Sequence, residues 1–425
     1  MTAGVLLLSL VVLFAINTPL AVAIGLSSIF AFFVSGEFNL MTAVQRLYAG
    51  TDSFPLMAVP LFMFAGTLME AGGISKRIID LADALVGWLP GGLAAVAVVA
   101  AMFFAGISGS AAADTAAVGG ILIPAMIRKG YDRDFAGAVQ AAGGSIGVII
   151  PPSIPMIIFG FLTGASIGKL FAAGILPGFL MGFSLIIVST IISHKNGYGS
   201  TTEFSIRHIG RSFIAALWAL GAPVIILGGI LGGVFNATES AAVAVIYALA
   251  VGLFIYRQLK IKELPQLFID AAVTSSVIMF IIASASIFSW LMAIEDIPAI
   301  IAKNLLSLTT NQVLLLLMVN LVLLVAGTFV ETTASLILLV PVIAPLAPNL
   351  GIDLIQLGAI VVVNLAIGML TPPLGICLIV SCSIAENRLM EISRRILPFL
   401  ATLIIDLLLI TFWSPLTTWL PHWIK

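Results

Sequence analysis

The chain has 425 residues, of which 61% are apolar and only 9% are Asp, Glu, Lys or Arg, against about 45–50% and 25% in an ordinary soluble domain. That composition excludes a soluble globular protein and predicts an all-α polytopic membrane protein, while the even balance of 18 basic and 19 acidic residues leaves no basic face for nucleic acid. Cys377 and Cys382 lie in one apolar run, match neither a disulfide framework nor a metal-ligand spacing, and read as small core residues.

The N-terminus lacks the basic region of a secretory signal, and apolar sequence runs past Asn17-Thr18-Pro19 to Val34, which predicts one broken span or two short ones. Asp52, ahead of Phe54-Pro55 and an apolar run, reads as a helix-start cap. At about 17 to 25 apolar residues per crossing, candidate segments follow near 53–70, 91–106, 108–127, 134–150, 154–167, 170–193, 213–235, 238–257, 265–293, 311–330, 332–347, 354–371, 374–385 and 396–413. Several are too short to cross. The segments 108–127 with 134–150, and 332–347 with 354–371, carry internal Gly and Pro and predict re-entrant hairpins and broken helices. Two charged amphipathic stretches, 76–89 and 296–308, are expected to lie along an interface.

A self-comparison at an offset of 221 aligns Gly106 with Gly327, Pro124 with Pro345, Gly130 with Gly351 and Asp132 with Asp353. The register continues without a gap through Ile146-Gly147 and Ile367-Gly368, Pro151-Pro152 and Pro372-Pro373, and Ile175-Leu176-Pro177 and Ile396-Leu397-Pro398. Charge then orients the copies. The loop Arg128-Lys129-Gly130-Tyr131-Asp132-Arg133 is basic where its counterpart near 349–353 is not, whereas Arg388, Arg394 and Arg395 crowd the later loop of the second copy. Basic loops favour the cytoplasmic side, so one copy is expected to be upside down relative to the other, an arrangement found in secondary transporters. The division expected is 1–90 scaffold and interfacial arm, 91–193 first transport repeat, 194–310 connector and scaffold, and 311–425 second, inverted repeat.

Two constellations repeat in that register. The first is Gly106-Ile107-Ser108-Gly109-Ser110 through Asp114-Thr115, then Gly143-Gly144-Ser145-Ile146-Gly147 through Pro151-Pro152-Ser153; the second is Gly327-Thr328-Phe329-Val330-Glu331 through Ser335, then Asn364 through Gly368 and Thr371-Pro372-Pro373. Pro-Pro stops a helix and frees carbonyls, and bare carbonyls and hydroxyls are hard ligands suited to an alkali cation beside helix N-termini suited to a carboxylate. Tight helix packing with a kink is the competing reading. Glu331, Asp114, Glu239 and Asp406 are carboxylates in or near apolar runs; each is either functional, a helix cap or an interfacial group. Gly106-Ile107-Ser108-Gly109 also has the form of an intramembrane serine protease motif, but His194, His208 and His422 all lie outside the apolar spans, so no base is in reach of the serine. No phosphate-binding Gly-x-x-x-x-Gly-Lys-Ser/Thr occurs, and ATP is not expected as the energy source.

Taken together, Asp52-Ser53, Met69-Glu70-Ala71-Gly72-Gly73-Ile74-Ser75-Lys76-Arg77, Ser108-Gly109-Ser110-Ala111 with Asp114-Thr115-Ala116-Ala117-Val118, Ile150-Pro151-Pro152-Ser153-Ile154-Pro155 and Thr371-Pro372-Pro373 resemble the large membrane subunit of tripartite ATP-independent periplasmic (TRAP) transporters, nearly end to end. The resemblance implies a non-enzymatic, multi-pass inner-membrane protein that imports an organic acid with sodium ions, two or more, by an elevator movement of two hairpins. It implies a small membrane subunit of about four helices, here expected as a separate chain, and a periplasmic binding protein that delivers the acid. Carried over by motif, one sodium site falls on Ser108, Ser110, Gly147, Ile150 and Pro152, and a second on Gly327, Val330, Glu331, Gly368 and Thr371, with Ser110, Asp114 and Glu331 as substrate contacts. Where this sequence has Glu331 the family often has Asp. The acids handled by the family include sialic acids, four-carbon dicarboxylates and sugar acids. The alternatives are an ion-coupled elevator carrier that needs no binding protein, or a gated channel.

Overall fold

A computed structural model describes residues 2–36 and 39–424, and among them every regular element is helical. At the N-terminus the chain makes two short helices, α1 (Thr2–Ala15) and α2 (Leu20–Ser35), parted at Asn17, whose φ of 60° is left-handed, and at Pro19. A third, α3 (Leu40–Thr51), was not anticipated; its N-terminus is capped by Asn39, which accepts from the Met41 N–H. Asp52 closes α3 instead of opening the next helix, because its N–H donates to the Tyr48 carbonyl. A 3-10 turn at 54–57 then leads into α4 (Ala58–Ala71), followed by α5 (Ile74–Val86).

The first set of hairpin and broken helices comprises α6 (Gly92–Ser108), α7 (Ala111–Arg128), α8 (Arg133–Ser145), α9 (Ile154–Thr163) and α10 (Ile167–Lys195). After the connector come α11 (Ile206–Leu231), α12 (Ala237–Ala250, extended by a π turn to Ile255), α13 (Leu264–Ile294) and α14 (Ile297–Leu308). The second set is α15 (Gln312–Phe329), α16 (Thr332–Ile343) with the short α17 (Ala347–Leu350), α18 (Leu354–Gly368), α19 (Ile376–Ala385) and α20 (Leu389–Phe412), with α21 (Pro415–Thr418) at the end. Nine helical stretches among the described residues are long and apolar enough to cross a membrane.

The tight hairpin apices fall one helix earlier than the segment pairing anticipates. Only Gly109 and Ser110 separate α6 from α7, and only Val330 and Glu331 separate α15 from α16. Gly109 adopts φ 63°, which a side chain would strain, and Ser110 then caps α7. Helices α7 and α8 are instead joined by the basic loop at 129–132, and the breaks between α8 and α9 and between α18 and α19 contain the two Pro-Pro pairs, both with cis bonds.

The offset of 221 carries these elements onto one another within a few residues, and it also carries the flanking ones: α2 onto α12, α3 with α4 onto the single long α13, and α5 onto α14. Packing is reciprocal. Helix α4 packs on α12 as α13 does on α2, and α9 packs on α16 and α18 as α19 does on α7 and α8, the pattern a twofold relation between copies generates.

One residue shows that the copies are inverted. The Asp132 N–H donates to the Tyr198 hydroxyl at 3.0 Å, placing the 129–132 loop beside the end of α10, while the Asp132 carboxylate holds Arg395 at 2.9 Å, near the beginning of α20. Since α20 is the counterpart of α10, and α10's 29 residues span about 43 Å, the two helices run in opposite directions. The basic residues of 128–133 and 388–395 therefore share one face.

Candidate functional site

At the first apex the last residue of α6, Ser108, is buried, and its hydroxyl pairs with the Asp114 carboxylate in the first turn of α7. The same hydroxyl accepts from the Ser110 N–H at 3.1 Å, and Ser110 caps α7 by accepting from the Ala113 N–H. The break between α8 and α9 closes over this turn. A Cβ on Gly109 would come within 2.5 Å of the Pro152 carbonyl oxygen, and one on Gly147 would lie 2.9 Å from the Asp114 carboxyl carbon. Glycine at both positions thus allows a carbonyl and a carboxylate to converge on the apex. Ile150 turns its side chain away, toward Gly178 of α10. Of the first predicted set, Ser108, Ser110, Gly147 and Pro152 are brought together, while the Ile150 side chain packs on α10 instead.

The residues present fit a hard cation. Asp114 is fully buried, and its Oδ2 has no hydrogen-bond partner among the described atoms; an ionised carboxylate in an apolar interior needs a compensating charge or donor. Hydroxyl, carboxylate and carbonyl oxygens are the ligand types such a cation takes.

At the second apex α15 and α18 cross at Gly327 and Gly368, where a Cβ on Gly368 would lie 2.6 Å from Gly327 Cα. Val330 ends α15, and its carbonyl accepts from the Ser335 hydroxyl at 3.2 Å. Glu331 caps α16: Oε2 accepts from the Thr333 N–H at 2.9 Å and the Ala334 N–H at 3.4 Å, and Oε1 from the Thr333 hydroxyl at 3.1 Å. Thr371 hangs from the Ile367 carbonyl at the end of α18. The capping reading of Glu331 is therefore realised, and it fixes the carboxylate at the apex.

The two apices face a single cavity of about 530 Å³, within the usual range for small-ligand sites. Ser110 and Ala112 line it from the first apex, Glu331 and Thr333 from the second, and Met63 of α4 with Thr274 of α13 from the opposite wall. Glu331 is the one formally charged residue in that lining. Asp114 does not reach it. It is fully buried and pairs with the Ser108 hydroxyl, among the oxygens of the first apex.

The remaining carboxylates behave differently. Glu239 forms a capping box with Asn236 on an exposed helix start. Asp406 is buried between α20 and α10, where it accepts from the Ser184 hydroxyl at 3.0 Å. Sequence reasoning missed an amide cluster: Asn364 donates to Asn320 Oδ1 at 2.7 Å, and Asn320 to the Thr411 hydroxyl at 3.2 Å, tying α18, α15 and α20 together behind the second apex. A lone Asn in the apolar run of α15 was the available signal.

A family profile described as "Tripartite ATP-independent periplasmic transporter, DctM component" matches residues 7–416. The chain belongs to this family. A relative from Oleidesulfovibrio alaskensis named isethionate TRAP transporter permease protein DctMQ is 41% identical over 93% of this chain and 63% of its own length, so the chain spans somewhat less than two thirds of that relative. The C4-dicarboxylate TRAP transporter large permease protein DctM of Pseudomonas aeruginosa is 39% identical over 95% of this chain and 94% of its own. The crystal structure of the YdaH transporter of Alcanivorax borkumensis shares the fold, with a TM-score of 0.64 at 16% identity over 88% of both chains. As a TRAP large permease the chain is a multi-pass inner-membrane transporter subunit.

Proposed function

We propose that this permease imports a small organic acid held in the 530 Å³ cavity between the two hairpin apices, and that sodium ions drive the import. The observation that carries this reading is the lining of that one cavity by Ser110 and Glu331, counterparts in two inverted copies. None of the lining residues is Lys or Arg, and the one charged member is acidic. An anionic cargo beside Glu331 is repelled unless cations and helix N-termini offset both charges.

The first cation site is assigned to Ser108, Ser110, Gly147, Ile150 and Pro152, with Asp114 contributing the buried negative charge. The second is assigned to Gly327, Val330, Glu331, Gly368 and Thr371. Bound sodium supplies the positive charge that offsets these two carboxylates, and the helix N-termini at the apices offset the cargo. A monoanion moving inward with two sodium ions carries one net charge, worth about 2.3 kcal/mol per 100 mV. The hairpins and broken helices move as the carrying unit against α2, α4 and α13, which form the opposite cavity wall. The two named relatives, for isethionate and for C4-dicarboxylate, support the small-acid class. A small membrane subunit and a soluble binding protein complete the transporter.

Uptake by proteoliposomes containing this chain, its small subunit and a candidate binding protein tests the reading. Concentrative uptake of a labelled acid under an inward sodium gradient, absent under an equal potassium gradient, is expected. Uptake that equilibrates without concentration identifies a channel, and uptake that does not need the binding protein identifies a simpler carrier.

A further inference from the structure

The inverted repeat supplies an internal comparison at the two amphipathic arms. Helix α5 lays Ile74, Ile78 and Leu81 directly on neighbouring helices, chiefly α6 and α11. Its counterpart α14 buries only Ile297, and beneath it lies a cavity of about 370 Å³. Leu10 of α1, Met292 of α13, Ile301 of α14, Val319 of α15 and Leu339 of α16 line this space, and Asn349 is its one polar residue.

An apolar void of about 150 Å³ already stays dry and accepts an apolar guest, so a space this large and apolar is not a water site. Its mouth indicates the guest. Leu7 and Val322 line the cavity and are also 42% and 50% exposed, and they continue into the exposed Leu8, Val11, Leu321 and Val325 of the same helices. That surface faces lipid in a membrane protein. On the other side of α14, Lys303, Asn304 and Ser307 are exposed, as expected of a helix lying at the headgroup boundary with its apolar face over acyl chains.

We propose that the acyl chain of a membrane phospholipid occupies this cavity, with its headgroup at Asn349 and the polar face of α14. The chain fills the space that protein side chains fill beneath α5, and it joins α1, α13 and α14 to the second hairpin, α15 and α16.

The test reconstitutes the protein into vesicles of phosphatidylethanolamine and phosphatidylglycerol, a fraction carrying a photoactivatable diazirine on one acyl chain, and maps labelled residues by peptide mass spectrometry. Labelling at Ile301, Leu339 and Val342 is expected to exceed that at the lipid-facing Leu8 and Val11. In Leu339→Trp, and separately in Ile301→Phe, the cavity labelling is expected to be lost while Leu8 and Val11 keep theirs. Cavity labelling no greater than at Leu8 and Val11 in the unmodified protein overturns the proposal, whether or not a variant folds. So does cavity labelling that survives both substitutions.

Discussion

Ser108 is the one side chain that pairs with the buried Asp114 carboxylate among the described residues. Ser108→Ala leaves both carboxylate oxygens unsatisfied, and an orphaned buried group costs about 1–3 kcal/mol; a lower melting temperature in potassium chloride, measured in detergent, is the expected outcome. Asp114→Asn removes the buried charge and is expected to melt no lower than the Ser108→Ala protein in the same salt. Glu331 accepts three hydrogen bonds at the start of α16, so Glu331→Ala is expected to cost about 1 kcal/mol as a lost cap, whereas Glu331→Asp, which keeps a carboxylate at the cap, retains much of that stability. At this scale the sequence made Ser108, Ser110 and Glu331 legible, because small polar residues and a carboxylate inside apolar runs have few uses in a bilayer. It could not show that Asp114 turns inward behind Ser108. A position on a helix defines a direction only once the neighbours are known, and here they are Gly147 and the α8–α9 break. Asn320 was missed for the same reason: its partners, Asn364 and Thr411, are 44 and 91 residues away.

Between elements, the decisive contacts are backbone approaches that only glycine allows. Gly368→Ala places a methyl 2.6 Å from Gly327 Cα, while Gly327→Ala meets nothing nearer than 3.2 Å. Overpacking of this kind costs about 1–3 kcal/mol, so thermal unfolding should show Gly368→Ala as clearly the more damaging of the two. The helices themselves were largely legible from apolar run length and from Gly and Pro, including the division of 1–34 into two pieces and the arms α5 and α14. The breaks at Gly109-Ser110 and Val330-Glu331 were legible as segment boundaries, but apolar run length does not say which neighbouring segments pair, so the hairpins were assigned one helix too late. Asp52 was misassigned because a residue that caps a helix start also serves at the end of the preceding helix, and α3 was polar enough to pass for a loop.

Over the whole molecule, the inversion read from loop charge is matched by the contacts of Asp132 with Tyr198 and Arg395. The ion pair itself is half exposed and worth less than about 1 kcal/mol; its value is as a marker of which loops share a face. Single cysteines at Lys129 and Asn349, in a protein lacking Cys377 and Cys382, are expected to react with an impermeant thiol reagent from opposite sides of sealed, oriented vesicles, Lys129 from the cytoplasmic side. Labelling from one side contradicts the inversion. The offset was legible from rare Gly and Pro matches after residue 106, but its extension to α2, α4 and α12 was hidden, since apolar residues match by chance and the copies differ in where their helices break. The central claim is that the inverted copies build paired cation sites at their apices. Its most direct test is a melting-temperature titration of the purified protein with sodium chloride, against potassium and choline chlorides at equal ionic strength. A saturable, sodium-specific rise is predicted, about 2.7 kcal/mol of stabilisation per site at one hundred times the dissociation constant, and reduced in Ser108→Ala, which keeps only the second site; equal responses to all three salts would contradict the claim.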